Sequence, residues 1–461
     1  MSTEPNAVRT QPFHKCLVLT GLMGVFLLHS SFSGLSEIWP LLILVAVGYF
    51  IVSFCFISVG LVIMAIAMMF SPQISVGAVA YRVVELRVED FLIPVLMLAW
   101  IAKNATQTRG ALIMPSPLNK PIASLLAVMG ISTGIGFFRG DVQLLPAIFF
   151  TGKIVEYFII FFLTLNYIKT EKEVRFFLIF VLITMAALVL YTLPQVPQTE
   201  ILSGNRISAP FEVKSQPATA GGYLTFSFFI VFSLMLYQKS IVRKIALAIF
   251  SALIFIPILF TFSRTSYLML IAGFILLAVL SNIQWIRLML LFALLASPVI
   301  APRQVKERVA FTWLDGKSEG RSMGVDMSSQ ERIISFQRAF NRLKINPVIG
   351  LGMSSWDYVD NQYSRTLGEL GILGLGLWLF IFWRLYRIAR WVFSVSDGTM
   401  KGLALGYAAG IFGLLFHALG SCTFYIVRIM EPFWFMSGMI VALYLLKLRQ
   451  WAFVPSAEQG A

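Results

Sequence analysis

Arginines at the edges of apolar blocks are the residues of this sequence best suited to chemistry. In "FTFSRTSYLML", Arg264 closes one apolar block and opens the next across a very short turn. A guanidinium grips two phosphate oxygens at once and stays charged, so Arg264, with the Thr265 and Ser266 hydroxyls beside it, suits a clamp on a diphosphate. The plainer reading is an arginine snorkelling to lipid headgroups. In "SSQERIISFQRAFNRLKINP", Ser328 and Glu331 fit a capping box, Ile333, Phe336, Phe340 and Leu343 recur at helical spacing, and Pro347 stops the helix. A basic amphipathic helix of this kind can simply lie on a membrane surface. Arg332, expected in its first turn, would oppose the helix dipole there, which points to an anionic partner such as a phosphate. Arg206, in the Ser-, Pro- and Gly-rich "GNRISAPFEVKSQPATAGGYL", is a weaker third candidate.

Two further groups carry polar chemistry in apolar surroundings. Lys153 and Glu156, in "FFTGKIVEYFIIFF", are three apart and share a helix face. Ionisable residues inside a span face a cavity or each other, so the pair reads equally as the wall of a polar cavity or as an ion pair closing a helix interface. The stretch "GMSSWDYVDNQYSRTLGELGILG" (352–374) places Asp360 and Asn361 among Trp356, Tyr358 and Tyr363, then runs into another apolar block. Those rings suit stacking on sugar faces, although aromatic residues at a membrane interface commonly belong to the interfacial belt. Cys16, Cys55 and Cys422 show no pairing pattern, and His14, His29 and His417 are scattered, so the sequence carries no disulfide framework and no metal motif. His417, in an apolar run, reads as a hydrogen-bonded packing residue.

The elements that must position these residues are membrane helices. The chain has 461 residues, 58% hydrophobic and 13% charged, with a mean hydropathy of +0.82. A soluble domain carries roughly 25% charged residues, so this is an all-α polytopic membrane protein. No cleavable signal peptide is evident, and the first apolar block reads as a retained span. Candidate spans lie at 15–31, 40–56, 57–71, 90–103, 118–137, 145–166, 174–192, 219–237, 242–262, 265–281, 284–301, 369–389, 400–420 and 431–447. That makes about 14, or 12 if the 40–71 region, too long for one helix and short for two, and the short 90–103 block are counted differently. The net charge of +14 sits largely at span ends, which argues against nucleic acid as partner. Lys169, Lys172 and Arg175; Lys239, Arg243 and Lys244; Arg384, Arg387, Arg390 and Lys401; and Lys447 and Arg449 fall on one side if spans alternate, which makes that side, and both termini, cytoplasmic.

The same alternation puts 72–89, 193–218, the Phe262–Thr265 turn and a long loop of about 302–368 outside. That loop carries ten Lys/Arg on the face where positive charge is normally scarce. The expected organisation is a transmembrane bundle over 1–301, a periplasmic loop domain over 302–368 with one amphipathic helix, and a C-terminal membrane block with a cytoplasmic tail over 369–461. No internal repeat is visible.

The order "FSRTS", then "ERIISFQRAFNRLKINPVIGLGMSSW", then "DNQYSRTLGELGILG" resembles the O-antigen ligase and Wzy-type polysaccharide polymerase superfamily over about 260–375. Its pattern is an Arg in a Phe-Ser-Arg turn, an Arg opening a loop helix, a Pro-x-x-Gly-x-Gly turn, then His-Asn followed by Leu, Glu and Gly. Pro347, Gly350 and Gly352 fill the turn; Asn361, Tyr363, Leu367, Glu369 and Gly371 fill the tail. One departure matters: Asp360 stands where the ligases carry the His proposed to deprotonate the acceptor hydroxyl. A carboxylate can take that proton or orient the hydroxyl, but an exposed Asp, at a pKa of about 3.9, is a weak base unless desolvated. Members with a varied residue here look more like repeat-unit polymerases.

The resemblance implies glycosyl transfer at the outer face of the bacterial inner membrane, without a cofactor or metal, from a glycan on undecaprenyl diphosphate. Arg264 and Arg332, helped by Arg206, would hold the leaving diphosphate. Asp360 would serve the acceptor hydroxyl. Asn361, Tyr363, Trp356, Lys153 and Glu156 complete the expected substrate contacts. Membrane lipids are expected partners, and a chain-length regulator and export components are further candidates. A ligase moving finished glycan onto lipid A core is the near alternative. A transporter or flippase of lipid-linked sugars is the alternative of another class; such proteins favour internal repeats and interrupted helices.

Overall fold

Membrane helices answer the demand that every peptide group be hydrogen-bonded where water is absent. The computed structural model describes residues 38–79, 82–106, 113–199, 206–212, 216–289, 327–355 and 361–452, with a few single positions between 292 and 310. Over these the protein is a nearly all-helical polytopic membrane protein. The helices are α1 (Ile38–Cys55), α2 (Ile57–Phe70), α3 (Val88–Thr106), α4 (Asn119–Phe138), α5 (Leu144–Tyr167), α6 (Glu171–Thr192), α7 (Pro217–Tyr237), α8 (Ile241–Phe260), α9 (Arg264–Ser281), α10 (Met327–Leu343), α11 (Gln362–Val395), α12 (Gly398–His417) and α13 (Val427–Ala452). Two short strands, β1 (Gln73–Val79) and β2 (Arg82–Arg87), pair antiparallel between α2 and α3.

Every predicted span inside the described residues falls on a helix. The stretch 15–31 lies outside them, as does most of 284–301. Among the described residues, nine helices are long and apolar enough to cross a bilayer: α4 to α9 and α11 to α13. The ambiguous 40–71 stretch forms two helices that meet at Phe56, whose backbone leaves the helical range at φ −135° and ψ 84°. At 1.5 Å per residue the 14-residue α2 is about 21 Å long, short of the hydrocarbon thickness.

Burial of apolar surface gains little between helices already in lipid, so close packing must hold the bundle. The α12 run "GLALGYAAGIFG" supplies it. A methyl group at Gly402 or Gly406 would meet the α7 backbone at 2.7 Å (Ser233 carbonyl oxygen) or 2.5 Å (Phe229 carbonyl oxygen). At Gly410 it would meet the Phe226 ring, and at Gly413 Met269 of α9. α12 therefore lies against α7 and α9 at backbone distance, and α7 is the most buried span. Aromatic rings fill the neighbouring interface, with Trp378 of α11 stacked on Phe424, Phe382 tilted against the same ring, and Trp434 set edge-on to Phe158.

α11 is where the structure departs most from expectation. It begins at Gln362, seven residues before the predicted span, and breaks at Gly371. There φ is +66° and ψ −167°, a conformation open in practice only to glycine. The peptide groups released by the break pair with the turn 347–352. Leu351 and Gly352 donate their amides to the Gly368 and Glu369 carbonyls at 3.0 and 2.9 Å. Ile372 and Leu373 donate to Pro347 and Val348 at 2.9 and 3.0 Å. The two backbones touch: a methyl group on Gly350 would lie 2.6 Å from the Glu369 carbonyl oxygen, and one on Gly371 2.4 Å from that of Val348. The Ser132 hydroxyl of α4 sits between the Ile349 and Glu369 carbonyls at 2.5 and 3.0 Å, pinning the interlock to the bundle.

Gly371→Ala is expected to lower the midpoint of thermal unfolding in lipid sharply. The control Gly376→Ala, where an added methyl meets nothing within 4 Å, should leave it unchanged or raise it by the helix-propensity gain of up to about 1 kcal/mol. Equal midpoints for the two variants would contradict the interlock.

Candidate active site

The three arginines singled out from the sequence converge at one end of the bundle. Arg264 is the first residue of α9. Ser263 caps that helix, its hydroxyl accepting from the Ser266 amide, and bonds to the Thr265 and Ser266 hydroxyls at 2.9 Å each. Phe262 makes the preceding turn at φ +49° and is fully buried. Arg206 approaches from the loop before α7. Its proton affinity is lowered first by burial and then by the Arg264 charge, with Tyr267 opposing. Arg332 approaches from α10. A methyl group on Gly420 would lie 2.7 Å from the Thr265 Cγ2 and 3.0 Å from the Arg332 Nε, so the absence of a side chain there lets Arg332 lie over the Thr265 turn. Arg206 and Arg332 thus lie near the positive end of α9, which Arg264 opens, and such an arrangement suits an anion with several oxygens.

α10 differs in detail from its expected form. It starts at Met327, so Ser328 is inside the helix rather than capping it, and Arg332 sits in the second turn. The dipole cost expected for Arg332 largely falls away there. The buried positions of α10 are Ser335 and Ala339, with Arg332, Phe336, Arg342 and Leu343 half-buried, while Ile333 and Phe340 are exposed. Arg342 donates to the Ser355 carbonyl at 2.7 Å and so ties α10 to the loop beyond the interlock.

Asp360, Trp356 and Tyr358 lie outside the described residues. Asn361, the next residue in sequence, is fully buried and caps α11, its Oδ1 accepting from the Ser364 amide at 3.0 Å. Its Nδ2 donates to the Leu419 carbonyl, beside Gly420 and hence beside Arg332. Tyr363 donates its hydroxyl to the Leu415 carbonyl at 2.6 Å. Gln362 accepts from the Phe424 amide at 2.8 Å. The described side chains of Asn361 and Tyr363 therefore stitch α11 to the corner after α12. His417, fully buried in that corner, bonds Thr423 at 2.8 Å and the Ala218 carbonyl at 3.2 Å.

Below the interlock lies a buried ionic hub around Glu369. Its carboxylate pairs with Arg365 at 3.1 Å and accepts from the Tyr425 hydroxyl at 2.6 Å and the Ser354 amide at 3.1 Å. The Arg365 guanidinium stacks 3.6 Å from the Tyr425 ring centre. Burial, then the Glu369 carboxylate, hold Tyr425 protonated well above tyrosine's ordinary range, with Arg365 opposing. The family pattern flags Glu369, but its partners Arg365 and Tyr425 were not identified from the sequence. Lys153 and Glu156 do not join the arginines. Lys153 pairs with Asp90 of α3 and, at 3.3 Å, with Glu156.

Glu369→Gln strands the buried Arg365 charge and should destabilise the protein by about 3–5 kcal/mol. Tyr425→Phe removes one hydrogen bond to a charged group and should cost about 1.5–3 kcal/mol. Chemical or thermal unfolding of the reconstituted variants checks the ranking, and a reversed order would place the hub's strength elsewhere.

No curated protein matches the chain. Residues 249–379, from the second half of α8 into α11 and including Arg264, Arg332, the interlock and Glu369, match the family model described as O-antigen ligase, Wzy_C, in agreement with the superfamily that the motifs resemble.

Proposed function

We propose that the protein is a polymerase of lipid-linked oligosaccharide repeat units, transferring glycan from undecaprenyl diphosphate at the periplasmic face of the bacterial inner membrane. The observation that carries this reading is the convergence of Arg206, Arg264 and Arg332 on the N-terminus of α9. An apolar groove of about 300 Å³ supports it. The groove is lined by Leu276 of α9, Phe382 and Trp383 of α11, and Phe412 and Leu415 of α12. Leu276 is twelve residues along α9 from Arg264, or about 18 Å at helical rise. A diphosphate at the arginines can therefore send its polyprenyl tail down the same helices.

The acceptor hydroxyl oxygen attacks the anomeric carbon as the bond from that carbon to the diphosphate oxygen breaks, inverting the configuration. Asp360 takes or orients the hydroxyl proton. The arginines stabilise the departing undecaprenyl diphosphate, the charge that a metal neutralises in many nucleotide-sugar enzymes. Asn361, anchored at Leu419, holds the chain next to Asp360 beside Arg332. Lys153 and Glu156 serve the fold in this scheme. A ligase is the second reading, favoured by the description of the matching family model.

Arg264→Ala and Arg332→Ala should each reduce polymer formation by about 10²–10³-fold at unchanged protein levels, the loss typical of removing one preorganised donor from a developing anion. Asp360→Asn should lower turnover more than donor binding. The function itself is tested by incubating the purified protein in lipid with an undecaprenyl-diphosphate oligosaccharide from the producing strain. A ladder of products one repeat apart is expected. Transfer only after lipid A core is added would make it a ligase, and no covalent product under either condition would overturn both readings.

A further inference from the structure

A second cluster of buried charge, separate from the arginines, lies where α3, α5 and α13 meet. Glu89 and Asp90 open α3, Lys153 and Glu156 lie on α5, and Glu431 lies in the first turns of α13. One carboxylate oxygen each from Glu89, Asp90 and Glu431 lie within 4.8 Å of one another. Glu89 and Glu431 are fully buried.

The charges do not balance. Arg428 is matched by Glu212 at 3.9 Å. Lys153 serves Asp90 and Glu156. Arg87 reaches Glu89 at 3.8 Å. Counted as ionised, four carboxylates (Glu89, Asp90, Glu156, Glu431) face two cations (Arg87, Lys153), a formal deficit of two positive charges. Among the described residues Glu431 has no ion-pair partner, and neither of its oxygens has a hydrogen-bond partner. A second polar group points the same way from another helix. The Tyr157 hydroxyl, on α5 next to Glu156, is fully buried without a hydrogen-bond partner and lies within electrostatic reach of Glu431 and Asp90. Leaving such groups unmatched in a low-dielectric interior costs several kcal/mol per ion.

From this geometry we propose that Glu89, Asp90 and Glu431 form a binding site for one divalent, oxygen-seeking cation, with calcium the best fit, and that the Tyr157 hydroxyl completes it. One divalent ion closes the deficit of two charges. Calcium accepts six to eight oxygen ligands in a flexible geometry and is readily held by an all-protein set of carboxylates. Magnesium demands a tighter octahedron and dehydrates reluctantly. Asp90 spends one oxygen on Lys153 and the other on the Arg87 amide at 2.9 Å, but a carboxylate retains lone pairs for a bridging contact. The bound ion would join α3 to α13, and hence the β1–β2 hairpin to the segment that carries Tyr425.

The test is metal content and stability of the full-length protein in lipid nanodiscs, stripped with chelator and re-equilibrated with calcium chloride or magnesium chloride. About one calcium per chain should be retained, with a raised unfolding midpoint and weaker retention of magnesium. Glu431→Gln should lower calcium affinity by more than about tenfold, equivalent to 1.4 kcal/mol. Arg332→Ala, in the other cluster, should bind calcium as the wild type does. Tyr157→Phe, a milder change, should weaken calcium binding measurably if Glu431→Gln fails to fold. Wild-type protein that retains neither metal would overturn the proposal and assign the missing charges to protons. Calcium binding untouched by the Glu431 or Tyr157 change would overturn the site assignment.

Discussion

The exchange of backbone hydrogen bonds between the turn 347–352 and the break in α11 is the constraint on which the functional end of the molecule depends. A helix interrupted at Gly371 inside a membrane bundle releases carbonyls and amides that water cannot satisfy, at several kcal/mol each. Four hydrogen bonds exchanged with the turn, two donated by each side, replace the missing helical ones, and Ser132 adds a side-chain contact. The price is steric: the strands of backbone lie so close that neither Gly350 nor Gly371 admits a methyl group. The family pattern Pro-x-x-Gly-x-Gly and the spacing of Glu and Gly in the tail are therefore two halves of one object.

Three consequences spread from that contact. The first segment of α11 ends against the turn, so Arg365, Glu369 and Tyr425 are brought into one buried network in which each charge has a counterpart. The start of α11 is fixed by Asn361 and Gln362 to the corner at 418–424, which also carries Gly420 under Arg332. α10 leads directly into the turn and is tied to Ser355 beyond it through Arg342. Arg332 is thus held from both sides, and Arg264 waits at the N-terminus of α9. The acidic cluster at α3, α5 and α13 shows the opposite condition, carboxylates gathered without enough protein cations to match them.

Much of this was legible in the sequence. Spans announced themselves by apolar length alone, because a membrane helix needs no amphipathic pattern to be recognised. The arginines were found because positive charge at the ends of apolar blocks is costly on one side of the membrane. The break at Gly371 was not found, since a glycine within an apolar run is equally compatible with an unbroken helix, and the polar segment 362–370 looked like loop. The placement of Lys153 was half read: the sequence offered an ion pair with Glu156 but could not supply Asp90, sixty-three residues away on another helix. Arg428 and Glu431, three apart at the start of an apolar block, gave the same signal as Lys153 and Glu156 and were passed over.

The measurement that tests the central claim most directly is the affinity of purified protein in nanodiscs for undecaprenyl diphosphate, compared among wild type, Arg264→Ala and Arg332→Ala. If the arginines and the N-terminus of α9 together hold the diphosphate, each substitution weakens binding by about 1.5–3 kcal/mol, the contribution of a hydrogen bond to a charged group, and undecaprenol without phosphate binds weakly to all three. Unchanged affinity in both variants, or equal affinity for undecaprenol and its diphosphate, would contradict the account.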